Sequence, residues 1–66
     1  MKGSVKFWNE GKGYGFIIGD DDVEYFVHAS SLPQNTRSLM KDQRISFEPE
    51  ESERGFIAKA VQLEVN

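Results

Sequence analysis

Lys12-Gly13-Tyr14-Gly15-Phe16-Ile17 is the stretch of this sequence best equipped to do chemistry. A basic residue, two aromatic rings at alternate positions and small residues between them follow the pattern of an RNA-binding motif. Residues i and i+2 of a strand share a face. Tyr14 and Phe16 therefore point one way, and Ile17 points the other way, into a core. Gly13 and Gly15 are expected to keep the surface low so that flat bases reach the rings. Lys12 stands beside them to meet a phosphate. Tyr25-Phe26-Val27-His28 is a second strip, with Phe26 and His28 on one face and Tyr25 and Val27 on the other. If the two strips pair, Tyr14, Phe16, Phe26 and His28 form one aromatic patch. Stacking there is worth roughly 1–3 kcal/mol per base without base-specific hydrogen bonds.

Other chemistries lack their parts. Ser30 and Ser31 lie beside His28, but a hydrolase needs a base held by an orienting carboxylate and an oxyanion site, and nothing marks these. No catalytic residue is assigned, and the chain is not read as an enzyme. A metal at His28 would lack a second histidine or a cysteine. Asp20-Asp21-Asp22 with Glu24 lacks the glycine and flanking helices of a calcium loop, so it reads as a solvated turn. No metal, cofactor or small-molecule substrate is expected.

The strips need strands to hold them, and alternation supplies five. These are Ser4–Trp8, Tyr14–Ile18, Glu24–His28, Arg44–Glu48 and Phe56–Val65, the last bent near Ala58-Lys59-Ala60. Residues 29–42 read as a long loop with one short helical turn, and Pro49 to Gly55 as an acidic loop. Val5, Ile17, Tyr25, Val27, Ile45 and Phe47 fall on inward positions. Five strands in 66 residues are too few for an ordinary two-sheet sandwich. Closing them removes the exposed edges. The expected fold is all-β, a five-stranded antiparallel Greek-key barrel, as a single domain over 1–66.

The net charge of −3 argues, taken alone, against a polyanionic ligand. Its distribution reverses that reading. Lys2, Lys6 and Lys12 face only Glu10 in the first 18 residues, while the acids gather in two turn-like blocks. Lys6 and Lys12 are the expected phosphate contacts, with Lys59 and Arg37 as weaker candidates. The absence of cysteine fits a reducing compartment. The opening residues carry no signal-peptide pattern, and no stretch is long enough to span a membrane.

Gly3-Ser4-Val5-Lys6-Phe7-Trp8-Asn9 matches the Gly-x-Val-Lys-aromatic-aromatic-Asn opening strand of the cold-shock domain family. The two aromatic strips match that family's paired nucleic-acid motifs at the right separation. The chain resembles this family over nearly its whole length, most strongly over 3–32. The resemblance implies an OB-fold barrel that binds single-stranded RNA and DNA with low sequence specificity. It also implies a role as an RNA chaperone or regulator of gene expression, and a cytoplasmic monomer with no membrane partner is expected. By the family match Phe7 faces the ligand. By simple alternation Trp8 shares a face with Lys6, so both rings are candidates. The chain departs from the family in Phe7-Trp8, where the usual order is Trp then Phe, in Ala29 where an aromatic is common, in having no aromatic within 33–39, and in Phe56 where many relatives have proline. Phe56 could compensate from the start of the fifth strand. The competing reading is a protein-interaction domain with weakened nucleic-acid binding.

Overall fold

The computed structural model describes residues 1–34, 36 and 38–64. Arg37 and Val65 lie outside the described residues. The strands are β1 (Lys2–Asn9), β2 (Tyr14–Gly19), β3 (Glu24–His28), β4 (Arg44–Ser52) and β5 (Gly55–Leu63). They close into a barrel in the order β1-β2-β3-β5-β4. A single 3-10 turn, Ala29–Ser31, opens the long connection after β3. Among the described residues, no helix is long and apolar enough to cross a membrane.

Alternation sends one face of each strand inward. Val5, Ile17, Tyr25, Val27, Ile45 and Phe47 are buried as expected, joined by Leu32, Leu39, Ala58 and Val61. Burying one Val, Ile or Leu side chain contributes about 1.5–3 kcal/mol. In so thin a core every such residue matters. Tyr25 packs edge-on against Phe47, with ring centroids 4.9 Å apart.

The antiparallel expectation holds for β1–β2, β2–β3, β1–β4 and β4–β5, but β3 pairs with β5 in parallel at Phe26↔Ile57. Parity explains this. Strand direction cannot alternate all the way around a closed ring with an odd number of members, so at least one neighbouring pair must run the same way.

Two irregularities bend the strands. The β1–β2 register shifts between Val5 and Phe7, so Lys6 is an extra residue opposite β2. The β4–β5 register shifts between Ser46 and Glu48, where Ala60 takes a φ of 50°. Such bulges sharpen local twist, as a small barrel requires. The second one confirms the bend expected near Ala60.

The acidic loop expected from Pro49 to Gly55 is largely strand. β4 continues through Glu48, Pro49, Glu50 and Glu51 to Ser52, paired with β5 from Lys59 back to Gly55. Strand preference depends on context more than on residue type. Here the ladder to β5 overrides a run of carboxylates. A tight turn joins the two strands. Ser52 Oγ donates to the Gly55 carbonyl (2.8 Å) and accepts from the Arg54 N–H (3.3 Å).

The Asp20–Asp22 turn is tied to the barrel more firmly than a purely solvated turn. Arg44 donates to both carboxylate oxygens of Asp20 (3.1 and 3.2 Å), and that contact holds the Asp20 carboxyl below the usual aspartate value. The Tyr25 hydroxyl donates to Asp21 (2.7 Å). This lowers the Asp21 carboxyl and raises the Tyr25 phenol.

Candidate nucleic-acid interface

The strand registers assemble the outer face row by row. Phe7 lies opposite Phe16, Phe16 opposite Phe26, and Phe26 opposite Ile57. One transverse row thus crosses β1, β2, β3 and β5. The next row runs Asn9, Tyr14 and His28; the row on the other side runs Ser4, Ile18 and Glu24. Tyr14 stacks on Phe26 at 5.7 Å and 27°. Phe16 meets both rings edge-on, at 6.3 Å from Tyr14 and 5.8 Å from Phe26. This is the packing that aromatic quadrupoles favour. The cluster remains open to solvent, with Phe7 45% and Phe26 36% exposed.

The bulge at Lys6 settles which of the paired rings faces outward. With one residue added to the period of two, Lys6 and Phe7 both point out, and Trp8 returns to the inner side. Trp8 packs against the core, and its indole Nε1 is buried without a hydrogen-bond partner among the described residues. The family match placed Phe7 on this face, and simple alternation failed at the bulge.

Gly15 works differently from expectation. It is buried and opposite Trp8. A Cβ there would collide with the Phe7 carbonyl oxygen and lie 2.9 Å from the Trp8 ring. Gly15 makes room for Trp8 inside, while Tyr14 and Phe16 beside it point outward. Gly13 serves the turn, with a φ of 70° that side chains resist.

That turn sets the position of Lys12. The Asn9 side chain accepts from the Lys12 N–H (3.1 Å), and the Asn9 carbonyl accepts from the Gly13 N–H (2.8 Å). Lys12 is exposed beside Tyr14 and has no ion pair among the described residues. His28 caps the 3-10 turn, its Nδ1 accepting from the Ser30 N–H (3.1 Å). That contact orients the exposed ring.

Residues 1–64 match the family described as the 'Cold-shock' DNA-binding domain. The chain is 43% identical to the major cold shock protein CspA of Bacillus cereus over 62 residues, covering 92% of each chain. It is 43% identical to cold shock protein 1 of Lactiplantibacillus plantarum over 54 residues, covering 80% of this chain and 82% of the relative. It is 40% identical to the cold shock-like protein CspG of Escherichia coli over 63 residues, covering 92% and 90%. The chain belongs to the cold-shock domain family.

Membership makes it one of a family of nucleic-acid-binding domains rather than of enzymes. Within this cold-shock domain, two lysines of the candidate site are already engaged. Lys6 Nζ lies 2.8 Å from Glu24, and Lys59 Nζ lies 3.5 Å from Glu50. Ala29 begins the 3-10 turn and offers no ring beyond His28.

Phe56 stands at the start of β5, 45% exposed, with one edge against Tyr25 at 5.8 Å. It lines a groove of about 330 Å3 together with Phe16, Phe26, Ile57, Ser52 and Arg54. Sequence reasoning gave neither Arg54 nor Ile57 a role. The parallel seam that brings β5 beside β3 leaves no local trace in the residue pattern. The one available signal was Arg54-Gly55, a cation held in a turn by a glycine with φ 121°.

Proposed function

We propose that this cold-shock domain binds single-stranded RNA and DNA, with low sequence specificity, across the face of β1, β2 and β3. The observation that carries the reading is the transverse row Phe7–Phe16–Phe26, with Tyr14 stacked on Phe26. Bases stack on Phe7, Tyr14, Phe16, Phe26 and His28, every base having a π face to offer. Lys12 and Lys6 receive phosphates at the edges of the face. Stacking without base-edge hydrogen bonds holds strands of any sequence unpaired. That is the physical action of an RNA chaperone, or of a regulator that exposes single-stranded message. The protein acts as a monomer in the cytoplasm.

The test is a titration of labelled single strands, RNA and DNA of matched sequence, against duplex of equal length. Fluorescence anisotropy of the label is the better readout, because Trp8 faces the core. Saturable binding of single strands, with duplex much weaker, is the expected result. Equal affinity for duplex would remove the stacking account, and no binding of either strand at low salt would turn the assignment towards a protein partner.

A further inference from the structure

We propose that His28 takes up a proton when a single strand binds and meets a phosphate as imidazolium, and that Ser30 is the residue that positions its ring in both charge states. The inference rests on the proposed single-strand binding and adds its regulation by pH.

Two groups of Ser30 converge on one nitrogen of His28. The Ser30 N–H donates to Nδ1 at 3.1 Å, and the Ser30 hydroxyl oxygen lies 3.0 Å from the same Nδ1. A neutral imidazole has one donor and one acceptor nitrogen, whereas a protonated one has two donors. A ring held by the N–H alone would lose its partner on protonation and turn away. Here the hydroxyl oxygen is within reach to accept from Nδ1–H, while the Ser30 N–H, on an exposed turn, passes to water. The ring therefore keeps one orientation through the change of charge. Both contacts are made at Nδ1, so the Nε2–H of the imidazolium is left to donate to a phosphate oxygen.

The surroundings put that charge where a phosphate is expected. His28 is exposed and lies opposite Tyr14, in the row of Asn9, Tyr14 and His28. The Ala29 N–H donates to the Gly13 carbonyl (2.8 Å), which ties the 3-10 turn to the turn carrying Lys12. The titratable groups on the elements packed against His28 are Tyr14 on β2, Glu10 and Lys12 in the β1–β2 turn, and Lys59 on β5. Lys59 stands two residues past Ile57 as His28 stands two past Phe26, and Glu50 of β4 is its partner at 3.5 Å. On β3 itself Glu24 lies at the far end, engaged by Lys6. Histidine is the side chain that ordinarily changes charge between pH 5 and 8. An anion brought close to it favours the charged form, so phosphate contact and proton uptake reinforce each other.

The chain contains one histidine, so the imidazole signals of an NMR titration belong to His28. The experiment pairs that titration, with and without oligothymidylate, with anisotropy of the labelled strand from pH 5.5 to 8 at constant ionic strength. Thymine keeps its charge over this range. Wild type, His28→Gln, Ser30→Ala and Ser30→Thr are compared, with folding checked by circular dichroism at both ends. Wild-type affinity should rise about 2- to 5-fold on acidification, as one exposed charge pair gives. The salt slope should steepen by up to about 0.7, and the strand should move the His28 titration midpoint to higher pH. His28→Gln should lose the rise. In Ser30→Ala the rise and the displacement of the midpoint should both shrink, and Ser30→Thr, which keeps the hydroxyl, should restore both. A Ser30→Ala loss equal at every pH would overturn the positioning role. A midpoint that the strand leaves in place, or a rise that survives in His28→Gln, overturns this inference alone, provided that Phe26→Ala weakens binding. Wild type that binds no strand at either pH overturns it together with the proposed function.

Discussion

The ammonium of Lys6 lies 2.8 Å from the carboxylate of Glu24, reaching from β1 over the row of Ile18 to the start of β3. The bulge that turns Phe7 outward also frees Lys6 to make this span. An exposed pair of this kind is worth at most about 1 kcal/mol. A phosphate can displace Glu24, but it then meets a carboxylate beside the lysine. Glu24→Gln should therefore tighten single-strand binding at low salt and steepen the slope of log affinity against log salt by up to about 0.7. Lys12→Ala should make the slope shallower by about the same amount and weaken all sequences alike. With two to four phosphate contacts, the wild-type slope should lie at roughly −1.5 to −3. A slope near zero in all three proteins would remove both lysines from the contact.

Phe16→Ala and Phe26→Ala should each weaken single-strand binding by roughly 1–3 kcal/mol. Both rings lie outside the buried core, so the variants should remain folded. The rings touch at 5.8 Å, so the double variant should lose less than the sum of the two. Titration of each variant beside its melting curve separates binding from folding. Loss of folding with unchanged residual affinity would return these rings to the core.

Gly15→Ala should be far more damaging than its exposed surroundings suggest. The added carbon meets the Phe7 carbonyl and the Trp8 ring, and overpacking of this kind costs typically about 1–3 kcal/mol. The cost should appear as a lower melting temperature and a shifted Trp8 emission. A variant as stable as wild type would mean that Trp8 does not pack where β2 leaves room for it.

Val27→Ala and Ile45→Ala should destabilise by about 2–4 kcal/mol each, through lost burial and the cavity left behind. Both side chains are fully buried. In a barrel this small either change is enough to shift the protein towards the unfolded state at room temperature. Denaturant titration checks this, and an unchanged midpoint would contradict the registers described above.

Acid should loosen the Asp20–Asp22 turn. The Asp20 and Asp21 carboxyls lie below their ordinary value of 3.8 in the folded protein. Their contribution is therefore present above that value and is lost as pH falls through the lowered folded values. Tyr25 gives the opposite limb. Its phenol is raised above 10.0, so its contribution holds below pH 10 and disappears as pH rises through the raised value. Asp21→Asn removes the carboxylate that causes both shifts at this pair, and should flatten the melting-temperature profile at both ends. An unaltered profile would show that the Tyr25–Asp21 hydrogen bond carries no linkage.

Strands with one buried face were readable, because a period of two separates Val5, Ile17, Val27 and Ile45 from the outward rings. The aromatic patch was readable for the same reason. The bulge at Lys6 was not, since an inserted residue breaks the period that makes alternation informative. The acidic half of β4 was hidden because its residues disfavour strands, and only the ladder to β5 holds them extended. Arg54 and Ile57 join Phe16 and Phe26 through a pairing remote in sequence. Parity required a parallel neighbour somewhere in a closed ring of five, but not between which strands.

The parallel neighbours meet at Phe26 and Ile57, the only bridged pair between β3 and β5 among the described residues. The cylinder is therefore latched most lightly along this line, and local opening favours lightly held regions. Phe26 and His28 stand on one side of the line, Phe56 and Ile57 on the other. A strand bound as proposed on β1, β2 and β3 lies along one side of this line and needs β3 held in place. Its affinity is thus added to the free energy of closure. On this proposal the nucleic acid would act as a clasp beside the line where the cylinder is held by one bridged pair among the described residues.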